Sequence, residues 1–149
     1  MSVRVCDRNT SKVEYVYNAL QLSNLVNERM TKYANKIADS RRYKHFVKSS
    51  NYDLWKSPIL FAKLVYHYCL CANKMRDTNK RLAYLSKASE NLMLLKTSVQ
   101  QFYDLNRHIV KDKFIILLAE KVETQTKLLG GQFNYVRNIS CRQSLLAQH

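Results

Sequence analysis

Apolar residues recur at every third or fourth position through most of the segment from Asn79 to Gly131. In its first half these positions are Leu82, Leu85, Ala88, Leu92, Leu95, Val99 and Phe102. After a polar break at residues 106–108 the pattern resumes with Phe114, Leu117, Leu118, Val122, Gln125 and Leu129. This spacing places the side chains on one stripe of an α-helix. The segment therefore predicts two long amphipathic helices, which need further helices to bury their stripes.

The front of the chain supplies two more candidate helices. The first is predicted by a stripe at Val13, Val16, Leu20, Leu22, Val26, Met30, Tyr33 and Ile37. The second should begin at Ser57-Pro58, because serine can cap free amides and proline suits the first helical position. Asp77-Thr78-Asn79 forms a short polar turn in which any of the three could cap the third helix. Gly130-Gly131 predicts the end of the fourth helix, since glycine tolerates the left-handed conformation found there.

The chain has only 2 glycines and 1 proline among 149 residues, which favours long helices with few turns over an all-β fold. We predict an all-α, antiparallel up-down-up-down four-helix bundle, with helices near residues 12–40, 57–76, 79–105 and 110–129. Residues 1–132 would form a single domain, and residues 133–149 a partly disordered C-terminal extension. Tyr66, Leu70, Leu94, Ile115 and Ile116 lie off the predicted core stripes, so we also expect a homo-oligomer.

A strong positive charge limits the classes of partner. The sequence has 25 basic and 11 acidic side chains, a formal net charge of +14. Such an excess predicts a polyanionic partner: nucleic acid first, then an anionic membrane face or an acidic protein. The alternative is a solvated basic surface that serves solubility. No apolar run is long enough to span a membrane and no signal peptide is visible, so we expect a cytoplasmic protein with reduced thiols.

No set of residues predicts catalysis, a cofactor, a metal site or a small-molecule substrate. There is no P-loop, dinucleotide fingerprint, HExxH motif or nucleophile–base set, so we expect no enzymatic activity. His67-x-Cys69-x-Cys71 could suggest a metal site. Helical residues two apart point about 200° apart, however, and therefore should not bind one ion together.

The predicted topology collects basic residues at the two ends of the bundle. Loops one and three would meet at a first basic end, which holds Arg41, Arg42, Lys44, Lys48, Arg107, Lys111 and Lys113. Loop two and the segment after the glycines would meet at a second basic end, which holds Lys74, Arg76, Lys80, Arg81, Arg137 and Arg142. We select the first end for contact with nucleic-acid phosphates and keep the second as the competing site. At the first end, residues 41–46 interleave aromatic with basic side chains, which suits either base stacking or closure of the core by Phe46.

The third and fourth helices resemble those of a known family. KRLAYLSKASENLMLLKTSVQQFYDLNRH, followed by a helix that ends in LLGGQFNYVR, is similar to the accessory variability determinant proteins of diversity-generating retroelements. The likeness runs from Leu64 to about Arg137. Its most specific parts are Arg81-Leu82-x-Tyr84-Leu85, Asp104-Leu105 and Leu129-Gly130-Gly131. Where this chain has Gln132, the family usually has tryptophan.

The resemblance implies a non-enzymatic partner of a reverse transcriptase. Family members form basic, barrel-like homopentamers that bind the transcriptase and its RNA or DNA and support mutagenic copying of template RNA (mutagenic retrohoming). Two alternatives remain open. One is a stand-alone RNA-binding bundle, as in the related proteins encoded in ribosomal-RNA intervening sequences. The other is a basic scaffold that binds an acidic protein.

Overall fold

The computed structural model describes residues 10–39 and 54–148, which form four α-helices. Helix α1 is Thr10–Asp39, α2 is Lys56–Lys74, α3 is Thr78–Leu105 and α4 is Asp112–Ala147. No strand occurs among these residues. The predicted all-α four-helix fold is therefore confirmed, with most helix ends within two residues of the prediction.

Each helix packs against two neighbours, in the cyclic order α1, α2, α3, α4 and back to α1. Neighbours run antiparallel. Tyr33 near the end of α1 makes an edge-to-face ring contact with Phe114 at the start of α4, with centroids 5.7 Å apart. Asn18 near the start of α1 donates to Gln125 farther along α4. The two short connections, residues 75–77 and 106–111, therefore lie at opposite ends of the bundle.

The predicted stripes supply most of the core. Leu85, Ala88, Leu92, Leu95, Val99 and Phe102 are buried on α3, and Phe114, Leu118, Val122, Gln125 and Leu129 are buried on α4. One assignment was wrong. Leu117 is 39% exposed, because it lies one position from the buried Leu118 and so points about 100° away from it. Leu82 is partly buried and packs against the core, and Leu20 on α1 is also partly buried.

Two helix starts differ in how they are capped. Asp77 caps α3, since its carboxylate accepts a hydrogen bond from the Lys80 amide at 3.0 Å. The predicted cap at Ser57 was wrong: α2 begins at Lys56 after Trp55, and no side-chain cap is present. Pro58 lies in the first turn, where its missing N–H costs no intrahelical bond.

The predicted end of the fourth helix at residue 129 was also wrong. Helix α4 continues through Gly130 and Gly131 to Ala147, so residues 133–147 are helical rather than a partly disordered extension. Neither glycine has a positive φ. Gln132 and Val136 continue the buried stripe of Gln125 and Leu129. Glycine lowers helix stability by about 1 kcal/mol per residue relative to alanine. The burial of Gln132 and Val136 after the glycine pair compensates for that loss and lets the helix continue.

Candidate nucleic-acid interface

The first basic end is described only in part. Arg41, Arg42, Lys44 and Lys48 lie outside the described residues, as do the aromatic residues between them. Arg107, Lys111 and Lys113 are exposed on the 106–111 connection and in the first turn of α4. The buried Asn106 organises this connection, because its side-chain amide donates to the Phe102 carbonyl and its own carbonyl accepts from Ile109 and Val110. The connection therefore holds Arg107 and Lys111 in a defined turn, next to Lys113 in the first turn of α4.

Carboxylates partly neutralise the described cations of the first end. The Arg107 guanidinium lies 3.4 Å from an Asp104 carboxylate oxygen and 5.8 Å from the centre of the Tyr103 ring. The Tyr103 hydroxyl donates to Asp112 at 2.6 Å, and this hydrogen bond raises the pKa of Tyr103. Residues 104–113 thus carry three cations against two carboxylates, a net charge of +1.

The second basic end has a larger charge excess within the described residues. Residues 74–81 and 137–142 together carry six cations and one carboxylate, a net charge of +5. That carboxylate belongs to Asp77, which caps α3. Lys74, Arg76 and Lys80 are exposed, and the Arg137 guanidinium lies 5.5 Å above the Phe133 ring. The extension of α4 holds Arg137 and Arg142 on one continuous helix.

Arg81 differs from the other cations of the second end because it is half-buried. Its guanidinium lies near the Tyr15 hydroxyl and lowers the pKa of that group. Burial of Tyr15 and its proximity to Cys69 outweigh this effect and raise the pKa to about 12. No hydrogen bond of normal geometry joins the two side chains. Arg81 therefore belongs partly to the core and is a poor choice for charge reversal.

A polar layer beneath Arg81 links side chains and backbone of α1, α2 and α4. The buried Gln125 amide donates to the Tyr15 carbonyl at 2.9 Å and to the Cys69 sulfur at 3.5 Å, and it accepts from Asn18 at 2.8 Å. Burial raises the pKa of the Cys69 thiol to about 12. Tyr15 is not on the stripe predicted for α1, yet its side chain is 1% exposed and belongs to the core.

An aromatic cluster on the outer surface of α2 and α3 escaped the sequence analysis. The Tyr68 and Tyr84 rings stack with centroids 6.3 Å apart and planes 27° apart, and the Lys87 ammonium lies 5.5 Å from the Tyr68 centroid. His67 contacts the edge of Tyr68 and approaches Cys71, whose sulfur is 3.7 Å from Nε2. The spacing of four between His67 and Cys71 could have shown that they share a face. Cys69 points instead into the core.

An open groove separates α3 from α4. It has a volume of about 620 Å³, and its apolar floor includes Leu92, Val99, Leu118 and Val122. Met93 on its rim is 70% exposed, and Leu94 and Ile116 nearby along the same helices are 47% and 59% exposed. Of the five residues predicted to lie off the core, Leu94 and Ile116 are thus exposed, while Tyr66, Leu70 and Ile115 are partly buried.

No helix in residues 10–39 or 54–148 has the length and apolar character that crossing a membrane would require. Within those same ranges, no three metal-binding side chains are grouped closely enough to hold an ion. No protein-family model matches the chain, and no curated protein or solved structure matches it either.

Proposed function

We propose that this protein is a non-enzymatic nucleic-acid-binding bundle that assists a retroelement reverse transcriptase. It would bind the enzyme together with template RNA or cDNA and support mutagenic copying. The main observation in favour is the second end, where residues 74–81 and 137–142 carry six basic side chains and one carboxylate. The reverse transcriptase is proposed as the partner because the third and fourth helices resemble those of accessory variability determinant proteins.

The mode of binding follows from the residue types. Exposed lysines and arginines at helix ends suit contacts with phosphate oxygens, which fix position without reading sequence. Binding should therefore tolerate sequence changes and weaken steeply with salt. Each lost phosphate contact should flatten the log–log salt slope by roughly 0.7–0.9.

Two matched triple charge reversals test which end binds. K74E/R76E/K80E alters the second end and spares the half-buried Arg81, whereas R107E/K111E/K113E alters the described part of the first end. Binding of labelled single-stranded RNA is measured by fluorescence anisotropy across a salt series, and helicity is checked by circular dichroism. Over the described residues the second end has the larger charge excess, which predicts the greater loss for the second-end variant; residues 41–48 of the first end add four cations and are tested separately. A loss confined to the first-end variant would assign RNA binding to the first end.

R41E/R42E/K44E tests the remaining cations of the first end in the same assay. If none of the three variants alters RNA binding, the positive charge does not serve nucleic acid, and the basic-scaffold alternative is favoured. Association with the enzyme is tested by co-purification with a reverse transcriptase encoded beside this gene. An adjacent pair of template and variable repeats would support the retroelement assignment, and failure of co-purification would favour the stand-alone RNA-binding alternative.

A further inference from the structure

We propose that the outer surface of α2 and α3 is a stacking platform for the bases of single-stranded nucleic acid. This inference rests on the proposed nucleic-acid function and adds a second mode of contact to the phosphate contacts at the basic ends. The platform consists of Tyr68, Tyr84 and Lys87, with His67 at its edge. None of these residues belongs to either basic end as defined above.

The platform is a pre-arranged pair of aromatic rings. Tyr68 on α2 and Tyr84 on α3 lie across the helix–helix contact from each other, nearly parallel at 6.3 Å. Both are half-buried, so part of each ring remains accessible while the rest packs against the core. The His67 ring makes an edge-to-face contact with Tyr68, with ring centroids 5.2 Å apart. Aromatic rings held in this way can stack on bases with little further loss of side-chain entropy.

Cations flank the rings on the same helix faces. On α3, Lys80, Tyr84 and Lys87 follow a spacing of four and three, which places them on one face. On α2, His67, Cys71 and Lys74 share the same kind of spacing. Neither run contains a carboxylate. The alternation of cation and aromatic ring is the pattern that binds single strands, because cations hold the phosphates and rings hold the bases.

The platform is continuous with the second basic end. Lys80 and Lys74 belong to that end and also terminate the two runs. The α3 run from Lys80 to Lys87 spans about 10 Å at 1.5 Å per residue. A strand whose phosphates are held by the second end could therefore continue along the α2–α3 surface, where its bases would meet the stacked rings of Tyr84 and Tyr68.

The test separates stacking from charge. Y68L/Y84L removes the rings and retains apolar packing, while Y68F/Y84F retains the rings and loses only the hydroxyls. We expect the leucine variant to bind a single-stranded RNA at least about fivefold more weakly with an unchanged salt slope, and the phenylalanine variant to bind normally. An abasic oligonucleotide of equal length should bind the native protein and the leucine variant equally.

Three results would overturn the proposal. One is equal affinity of the native protein and the leucine variant for RNA. Another is equal affinity of the native protein for the RNA and the abasic strand. The third is a loss of binding that accompanies a changed oligomer size in light scattering, because the rings would then serve a subunit contact. If the native protein binds no nucleic acid at all, the proposed function itself fails, which is a different result from loss of the platform alone.

Discussion

Tyr15 and Cys69 show how burial alters the chemistry of individual side chains in the polar layer. Both remain neutral in the fold, because burial raises the pKa of each to about 12 from ordinary values of 10.0 and 9.0. The folded protein therefore retains two protons that the unfolded chain releases on titration. The free energy of unfolding is therefore unaffected by these two groups below about pH 9, and it falls as the pH rises from about 9 towards 12.

The pH dependence gives a prediction for the Cys69 thiol. Between pH 8.5 and 10, the free energy of unfolding should fall in the native protein and should fall less in Cys69→Ala, which has no thiol to titrate there. Chemical denaturation at several pH values measures both curves. The exposed Cys141→Ala is the matched control and should follow the native curve. Parallel curves for native protein and Cys69→Ala would show that the thiol is not protected from ionisation.

Neighbouring leucines on α3 allow the core assignment to be tested within one helical turn. Leu95 is fully buried, whereas Leu94 is 47% exposed. Leu95→Ala should lower the free energy of unfolding by about 2–5 kcal/mol, because it removes buried methyl groups and leaves a cavity. Leu94→Ala should change the stability of a monomer by less than about 1 kcal/mol. Urea denaturation measures both, and equal losses would contradict the assigned face.

The glycine pair of α4 predicts an unusual gain in stability. A Cβ atom added at Gly130 or Gly131 would meet no atom within 4 Å, and neither residue has a positive φ. Alanine should therefore fit both sites and restrict the unfolded chain, adding up to about 1 kcal/mol per site. Gly130→Ala and Gly131→Ala should each raise the urea midpoint. A lower midpoint would mean that the helix bends or ends there in solution, as the sequence suggested.

The elements differ in how well local sequence predicts them. The stripes of α3 and α4 were readable because the buried positions follow the helical period. The end of α4 was not, because a glycine pair resembles a helix stop until the packing of Gln132 and Val136 is known. The stacking of Tyr68 on Tyr84 was also hidden, since it depends on the register between α2 and α3. The spacing of apolar residues within one helix gives no information on how α2 and α3 are aligned with each other.

At the scale of the whole molecule, the α3–α4 groove and its exposed neighbours motivate the expected self-association. We expect a homopentamer, the assembly that the family resemblance implies. Light scattering at micromolar concentration should give a mass near five times the 17.6 kDa protomer. L94D/I116D should reduce that mass, because charged groups would then have to be desolvated in the contact. A native protein that remains monomeric would contradict the prediction.

Control substitutions at Leu145 and Leu146 sharpen that test. These leucines are 60% and 77% exposed near the end of α4, away from the α3–α4 groove. L145D/L146D should preserve the oligomer if the groove forms the subunit contact. Dissociation by this variant alone would move the contact to the end of α4.

The polar layer around Gln125 also bears on how the helices find their alignment during folding. Aliphatic stripes permit one helix to slide along another by a full turn, about 5.4 Å, with many contacts replaced by similar ones. A slide of α4 would carry the Gln125 amide away from Asn18, Tyr15 and Cys69 and leave it among apolar groups, at a cost of about 1–3 kcal/mol. Competing registers are thus penalised at one position. Because Gln125 of α4 bonds to groups on α1 and α2, this one side chain favours a single alignment of three helices during folding.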